Sequence, residues 1–533
     1  MRINYIYLHI TILLIFSNFD SFGQNAPERE LRGVWVTTAF NIDWPSSSTL
    51  STEEQKTEFI DLIEAHQKNG INAIFLQVRP AAEVFYESRY EPWSHWLTGL
   101  QGKAPNPYYD PLKFMIEECH KRNIEFHAWI NPFRAVSNID RVKVVQDHIV
   151  NRKPEWFVTY GQDVRKKYFN PGIPEARAYI VKMIMDIVHR YDIDGIHFDD
   201  YFYPVKEGGI DFPDNQAYYD YNPNYLEKSD WRRENINDFI KTLHDSINNI
   251  KPQIKFGVGP SGVWRNKNHD PEGSNTRGLS SYDEQYADTR KWLREGWIDY
   301  VAPQIYWTIG YKAADYRELV DWWSRNVYGK HLYIGQASHR INETSDWRNP
   351  SAIPDQIRLN RMYPEVKGSI FYSSSALLKN KNGIADSLRN EFYVAYANVP
   401  EMPWKIVPDK NVFSIDTTAQ YYSKLNRLPE PLAPIDFVAI KVKKEILLKW
   451  EMDASQKKFL ADSGSYYNVY RFKGIYAGYP SADNLYKKTK DPFIMISRRG
   501  MFKKKYSFIV TAVNSQDREG WHSNSLIIRI RAD

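Results

Sequence analysis

From Leu31 to about Tyr393, short apolar runs alternate with longer amphipathic stretches. The runs read as eight strands: Leu31–Thr38, Ile71–Arg79, Ile124–Asn131, Ile193–Asp200, Ile254–Pro260, Ile298–Trp307, Leu332–Ser338 and Gly368–Ser374. Between them the spacing of apolar positions lengthens to that of helices. Glu53–Asn69 begins in a Ser-x-Glu-Glu capping pattern and stops at Gly70. Pro174–Arg190 has proline in its first turn and Ile180, Ile184, Ile187 and Val188 along one face. Eight successive βα units predict an α/β fold, a (β/α)8 TIM barrel spanning residues 28–395. A doubly wound open sheet fits less well, because no glycine-rich phosphate turn follows the first strand.

Two predicted βα loops are long. Val205–Trp231 is rich in tyrosine, and Ser261–Tyr282 is rich in Gly, Asn and Ser. Loops of this length inside a compact domain are usually functional or disordered, and both emerge on the face where barrel enzymes bind their ligands, so they read as cleft walls or lids. Residues 396–433 carry many prolines and little periodicity, as expected of a linker or a strap across the barrel. From 434 to 533 the pattern changes to short alternating strands, among them EILLKW, SYYNVYRF and KKYSFIVTAVN. These predict a small β-sandwich resembling a fibronectin type III module.

Bulk composition narrows the class. Lys plus Arg exceeds Asp plus Glu by 70 − 65 = +5, spread along the chain, so no nucleic-acid partner is expected. Tyrosine and tryptophan often lie beside Pro, Asp or Asn in loops, which favours stacking on sugar rings. Residues 1–23 read as an export signal, with Arg2 before an apolar core, Tyr5–Phe16, too short to span a membrane. No cysteine stands directly after it to carry a lipid, so the protein is expected to be exported to the periplasm or beyond, with no membrane span and no lipid anchor. The one cysteine, Cys119, lies in a helical pattern and reads as core.

The chemistry concentrates at the carboxyl ends of the predicted strands. The stretch Ile193–Pro204, IDGIHFDDYFYP, delivers His197, Asp199, Asp200 and Tyr201. The first strand delivers Asp43 just beyond its end, the second Gln77 and Arg79 followed by Glu83, and the third His127, Trp129 and Asn131. The sixth delivers Gln304, Tyr306 and Trp307, and the eighth Tyr372. Ligands bind at these ends in barrels. No Gly-x-Ser-x-Gly elbow, His-Glu-x-x-His or Cys-x-x-Cys pattern occurs, so carboxylates are left as acid and base, with no cofactor and no metal expected.

Six segments carry a family resemblance: ELRGVWVTTAFNIDWPS, NAIFLQVRPAAEVFYES, FHAWINPFR, YFNPGIPEARAYI, YDIDGIHFDDYFYP and YVAPQIYW. The chain resembles the glycosyl hydrolase-like 10 family of bacterial envelope proteins, which implies a TIM barrel and glycoside hydrolysis; some members cleave peptidoglycan glycan strands. A more distant likeness is to chitinase-type barrels, whose fourth strand reads DGxDxDxE. Asp194 and Asp199 match its first and last Asp, while His197 and Tyr201 stand where Asp and the acidic Glu belong.

The expected function is therefore exported hydrolysis of a bacterial polysaccharide, foremost peptidoglycan glycan. Asp200 is the expected general acid, held protonated by burial beside Asp199. Asp199 is expected to orient a sugar amide or hydroxyl, act as base or stabilise charge, with Glu83 as a reserve carboxylate. Arg79, Gln77, Asp43, His127, Asn131, His197, Tyr201, Gln304, Tyr306 and Tyr372 are expected to contact substrate, and Trp129 and Trp307 to stack on rings. A non-catalytic glycan-binding barrel, and a metal-dependent deacetylase using His127, His197 and Asp199, are the alternatives.

Overall fold

The computed structural model describes residues 27–405, 434–442, 445–452, 464–473, 484–497, 502–515, 519–523 and 526–532. The export-signal segment and most of the proline-rich stretch lie outside these residues. Eight parallel strands close into a barrel in simple sequential order. They are β1 Leu31–Val36, β2 Ala73–Arg79, β3 Glu125–Ile130, β4 Gly195–Phe198, β5 Lys255–Val258, β6 Tyr300–Val301, β7 His331–Gln336 and β8 Val366–Phe371. All eight expected strands are present, and all but β2 end before the expected residue, with β6 and β4 bearing most on the site. In β6 the ladder stops ahead of Pro303, which has no N–H to give, and only isolated bridges from Gln304 to Ser261 and Gly335 continue it. In β4 it stops at Phe198, so Asp199 and Asp200 stand beyond the ladder.

Large and small residues meet across neighbouring strands in the interior. A Cβ on Gly195 would come within 2.3 Å of the His127 ring, and one on Gly257 within 2.3 Å of the Tyr300 ring. Each glycine thus makes room for a large side chain on its neighbouring strand.

Outside the barrel, helix Thr52–Lys68 starts in a full capping box between Ser51 and Glu54 and buries Phe59, Leu62 and Ile63. Helix Pro174–Arg190 buries Ile180, Met183, Ile184, Ile187 and Val188. At roughly 1.5–3 kcal/mol per fully buried aliphatic side chain, these faces clamp the helices to the strands. No helix among the described residues is long and apolar enough to cross a membrane.

After β3 the chain makes an excursion that the sequence pattern did not reveal. Arg134–Val136, Phe157–Tyr160 and Lys166–Phe169 form a three-stranded antiparallel sheet. The loop Val205–Trp231 is pinned by buried Arg232, whose guanidinium bonds Asp211 and Asp214 at 2.6–2.9 Å. Residues 395–405 strap the barrel's amino-terminal end. Asn398 pairs with Arg29, Met402 joins the interior cluster with Leu31, Tyr300 and Tyr333, and Trp404 donates to Asp299 at 2.8 Å.

The C-terminal region forms the expected small sandwich. One sheet comprises Ile435–Val442, Glu445–Glu451 and Phe493–Ser497; the other is built on Tyr466–Lys473 and Phe502–Val513. Ile446, Leu448 and Trp450 alternate inward along their strand, as a half-buried strand requires, and pack with Val469, Phe508 and Val510 of the other sheet.

Candidate active site

Asp199 sits at the centre of the barrel mouth. It is buried, and three donors hold it. The Trp129 indole N–H reaches Oδ2 at 3.0 Å, the Asn131 amide bonds the same oxygen, and the Tyr201 backbone N–H reaches Oδ1 at 3.2 Å. Asn131 is itself oriented: its Oδ1 accepts from Gln77 Nε2 at 2.5 Å, while Gln77 Oε1 accepts from the Thr38 and Ala39 backbone at 3.2 and 3.0 Å. The amide polarity therefore propagates from the exit of β1 through β2 and the exit of β3 to the carboxyl just beyond β4.

Asp200 points to the other side of the turn. Gln285 donates to its Oδ2 at 2.9 Å and Gln304 to its Oδ1 at 3.2 Å. Gln285 also holds the Asp200 backbone carbonyl at 2.8 Å, and Gln304 that of Gly259 at 2.7 Å. The sequence expectation placed the buried, proton-holding carboxyl at Asp200. It lies at Asp199 instead: burial first, and the neighbouring Asp200 charge second, push the Asp199 carboxyl up to about 7. Asp200 is only half-buried and is held by two amides.

Aromatic rings line the approach. Tyr306 stacks on Tyr372 at 6.2 Å between centroids, and Trp35 meets Tyr372 edge-on at 6.3 Å. Trp307, half-buried, lies over Gly262, where a Cβ would come within 2.9 Å of its ring. The Tyr201 ring is 46% exposed and carries the Arg134 guanidinium 4.3 Å from its centroid. Beyond Trp307, a cavity of about 800 Å3 opens between Thr308–Ala313 and the loop bearing Asp346 and Asn349.

Several residues expected to touch substrate are placed elsewhere. His127 and His197 are fully buried inside the barrel, below the mouth. Trp35 Nε1 donates to His197 Nε2 at 3.0 Å, His197 Nδ1 meets the Tyr300 hydroxyl at 3.2 Å, and that hydroxyl meets His127 Nδ1 at 3.0 Å. His127 Nε2 then meets Glu125 at 3.2 Å, and Glu125 pairs with Lys255. With every imidazole nitrogen engaged, neither histidine offers a ligand to a metal at Asp199. Trp129 is also buried, and its polar edge holds Asp199 rather than a sugar.

Arg79 and Glu83 belong to the support of the site. Arg79 is fully buried, forks onto Glu91 through two 2.6 Å bonds, and holds the Asn131 and Pro132 carbonyls at 2.5 and 3.1 Å. Glu83 accepts from Ser94, His95 and Gln101 at 2.8–3.0 Å, and none of these bonds either aspartate. Asp43 links two loops, accepting from the Thr37 and Ser375 backbone at 2.9 and 2.8 Å. Asp194, matched to the chitinase pattern, accepts at the foot of β4 from Phe126 N at 2.7 Å and His120 at 2.8 Å.

Two residues at the mouth were missed. Arg134 lies in the quoted FHAWINPFR segment, where its arginine was a visible signal. Gln285 lies just past the long fifth loop, and nothing local marks it. The fold and this mouth define a carbohydrate-active (β/α)8 barrel with two adjacent carboxyls under an aromatic rim. The chain belongs to the glycosyl hydrolase-like 10 family, whose profile matches residues 30–353, and it is a glycoside hydrolase. The glycosyl hydrolase YngK of Bacillus subtilis (strain 168) is 44% identical over 494 residues, 91% of each chain. The glycosyl hydrolase DigH of Escherichia coli (strain K12) is 38% identical over 374 residues, 66% of this chain and 84% of its own. Among solved structures, the PgaB (BpsB) glycoside hydrolase domain from Bordetella bronchiseptica aligns with a TM-score of 0.43 at 15% identity, over 68% of this chain and 99% of that one.

Proposed function

We propose that the protein is exported and hydrolyses the glycan strands of peptidoglycan, with the Asp199–Asp200 pair as its acid–base centre. The observation that carries this reading is a carboxyl raised to about 7 beside a second carboxyl held by two amides. Burial first, and the neighbouring Asp200 second, favour the proton-bearing form of Asp199 up to about 7. Consecutive residues at one strand end do not flank a sugar ring from opposite faces, as the two carboxyls of most glycosidases do. The arrangement suits a division in which Asp199 gives its proton to the glycosidic oxygen. Asp200 meanwhile orients the sugar's own acetamido group or stabilises the positive charge growing at the anomeric carbon. The export-type start and the family resemblance support a cell-wall glycan as substrate.

The test is to incubate the mature protein with purified glycan strands, with and without stem peptides, and to analyse released products by mass spectrometry beside Asp200→Asn. Shorter glycans from wild type alone support the reading. Intact glycans from both refute peptidoglycan as the substrate.

A further inference from the structure

We propose that Arg134 is the receptor for a carboxylate carried by the substrate, so that the cleft selects an acidic glycan. The inference rests on the glycan-cleft reading above and narrows it to a chemical class.

Arginines buried in this barrel have acidic partners. Arg32 bonds Glu30 at 2.9 Å, Arg79 forks onto Glu91, Arg232 onto Asp211 and Asp214, and Arg361 onto Glu30 at 2.9 Å. Arg134 does not. Its Nε is buried without a hydrogen-bond partner, and among the described residues its guanidinium makes no ion pair. A buried donor left unpaired costs about 1–3 kcal/mol, which points to a partner that arrives with the ligand.

Geometry says where that partner sits. The guanidinium lies 4.3 Å from the centroid of the Tyr201 ring, and the Tyr201 backbone N–H bonds Asp199. A group bound at Arg134 is therefore within one sugar unit of the reacting carboxyls. Stacking on the ring leaves the N–H edges of the planar fork free, and that edge matches a carboxylate through two parallel bonds. Asp199 does not serve as the missing partner. Its Oδ2 is taken by Trp129 and Asn131, and its Oδ1 faces the Tyr201 N–H. The carboxylate could sit on a lactyl ether, as in muramic acid, or on C6 of a uronic acid; the chemistry Arg134 reads is the same.

The test measures dissociation constants by calorimetry with the full chain carrying Asp200→Asn, so that ligands persist. Three probes are used: a muramic-acid-containing glycan oligomer, the same oligomer with its carboxyls reduced to alcohols, and an oligouronate. Reduction is expected to weaken binding by about 10-fold or more, the worth of a charge-assisted hydrogen bond. Adding Arg134→Gln should erase the difference between the first two probes while leaving the reduced oligomer's affinity unchanged. Arg134→Lys should restore part of the difference, and thermal melts confirm that both variants fold. Binding of the oligouronate but not the muramic oligomer would support the carboxylate receptor and move the substrate to uronic polymers.

Measurable but equal affinity for native and reduced oligomers, equal weakening of both by Arg134→Gln, oligouronate binding that Arg134→Gln leaves unchanged, or no binding of any probe overturns the proposal. Hydrolysis is read separately with wild type. Carboxylate-dependent binding without product release would leave the receptor standing and remove the hydrolytic role for that glycan.

Discussion

The side-chain amide of Asn131 donates to Oδ2 of Asp199, and that bond has a fixed sense. Gln77 supplies the donor to Asn131 Oδ1, and the backbone of β1's exit supplies the donors to Gln77. Asn131 therefore always presents N–H to the carboxyl, which favours its ionised form, against the burial that favours the neutral one.

That balance sets a pH profile. With Asp199 as the proposed proton donor, kcat/KM should be high below about 7 and fall as pH rises through it. Asp199→Asn and Asp200→Asn should each lower kcat by roughly 10²–10⁴-fold with the fold intact. Initial rates between pH 4 and 9, alongside circular dichroism, check both.

Asn131→Leu removes a donor to the ionised carboxyl. Asp199 should then hold its proton to higher pH. A hydrogen bond to a charged group is worth about 1.5 kcal/mol, so the alkaline limb should move up by roughly one pH unit. An unmoved limb would show that the titrating group is not Asp199.

The same carboxyl makes stability pH-dependent. Its folded pKa, about 7, lies above the ordinary value of 3.8, so the folded state holds the proton more tightly than the unfolded one. Its stabilising contribution is complete below about 4 and is lost as pH rises through about 7. Wild type should therefore lose more melting temperature between pH 4 and 8 than Asp199→Asn does, whatever the offset between them. Calorimetric melts at four pH values measure the two slopes.

Arg79 is a test of support against contact. If it held substrate, Arg79→Met would raise KM and spare stability. Buried as it is against Glu91, the change leaves an uncompensated carboxylate and should cost about 3–5 kcal/mol of stability. Urea unfolding separates the two outcomes, and the double variant Arg79→Met with Glu91→Leu should recover part of the loss.

Eight strands were legible because each is a short apolar run followed by a helical period. The Asp199–Asp200 pair was legible because acids rarely end a buried strand without purpose. Three things were not. Burial depth at the strand end was hidden, because alternation says which face a residue takes and not where the ladder stops; β4 stops at Phe198 and the two aspartates split. His127 and His197 looked like site residues because both precede polar strand ends, yet each points into the barrel, where neighbouring glycines receive the ring. Arg134 stands on the short antiparallel sheet after β3 and Gln285 at the end of a one-turn helix past the long fifth loop, excursions whose paths no local periodicity encodes.

Trp35 gives the interior chain a consequence beyond packing. An indole nitrogen has a hydrogen to give and no lone pair to accept one, so Nε2 of His197 must be the bare nitrogen. The proton of that ring then sits on Nδ1, the Tyr300 hydroxyl receives it and passes its own hydrogen to His127, and the sequence ends at Glu125. The order cannot run backwards while Trp35 heads it. An indole N–H cannot relay a proton into this chain, so the Glu125–Lys255 pair at the far end is not wired through Trp35 to the carboxyls at the mouth. Trp35, edge-on to Tyr372 at the mouth, works as an insulator at that end of the chain.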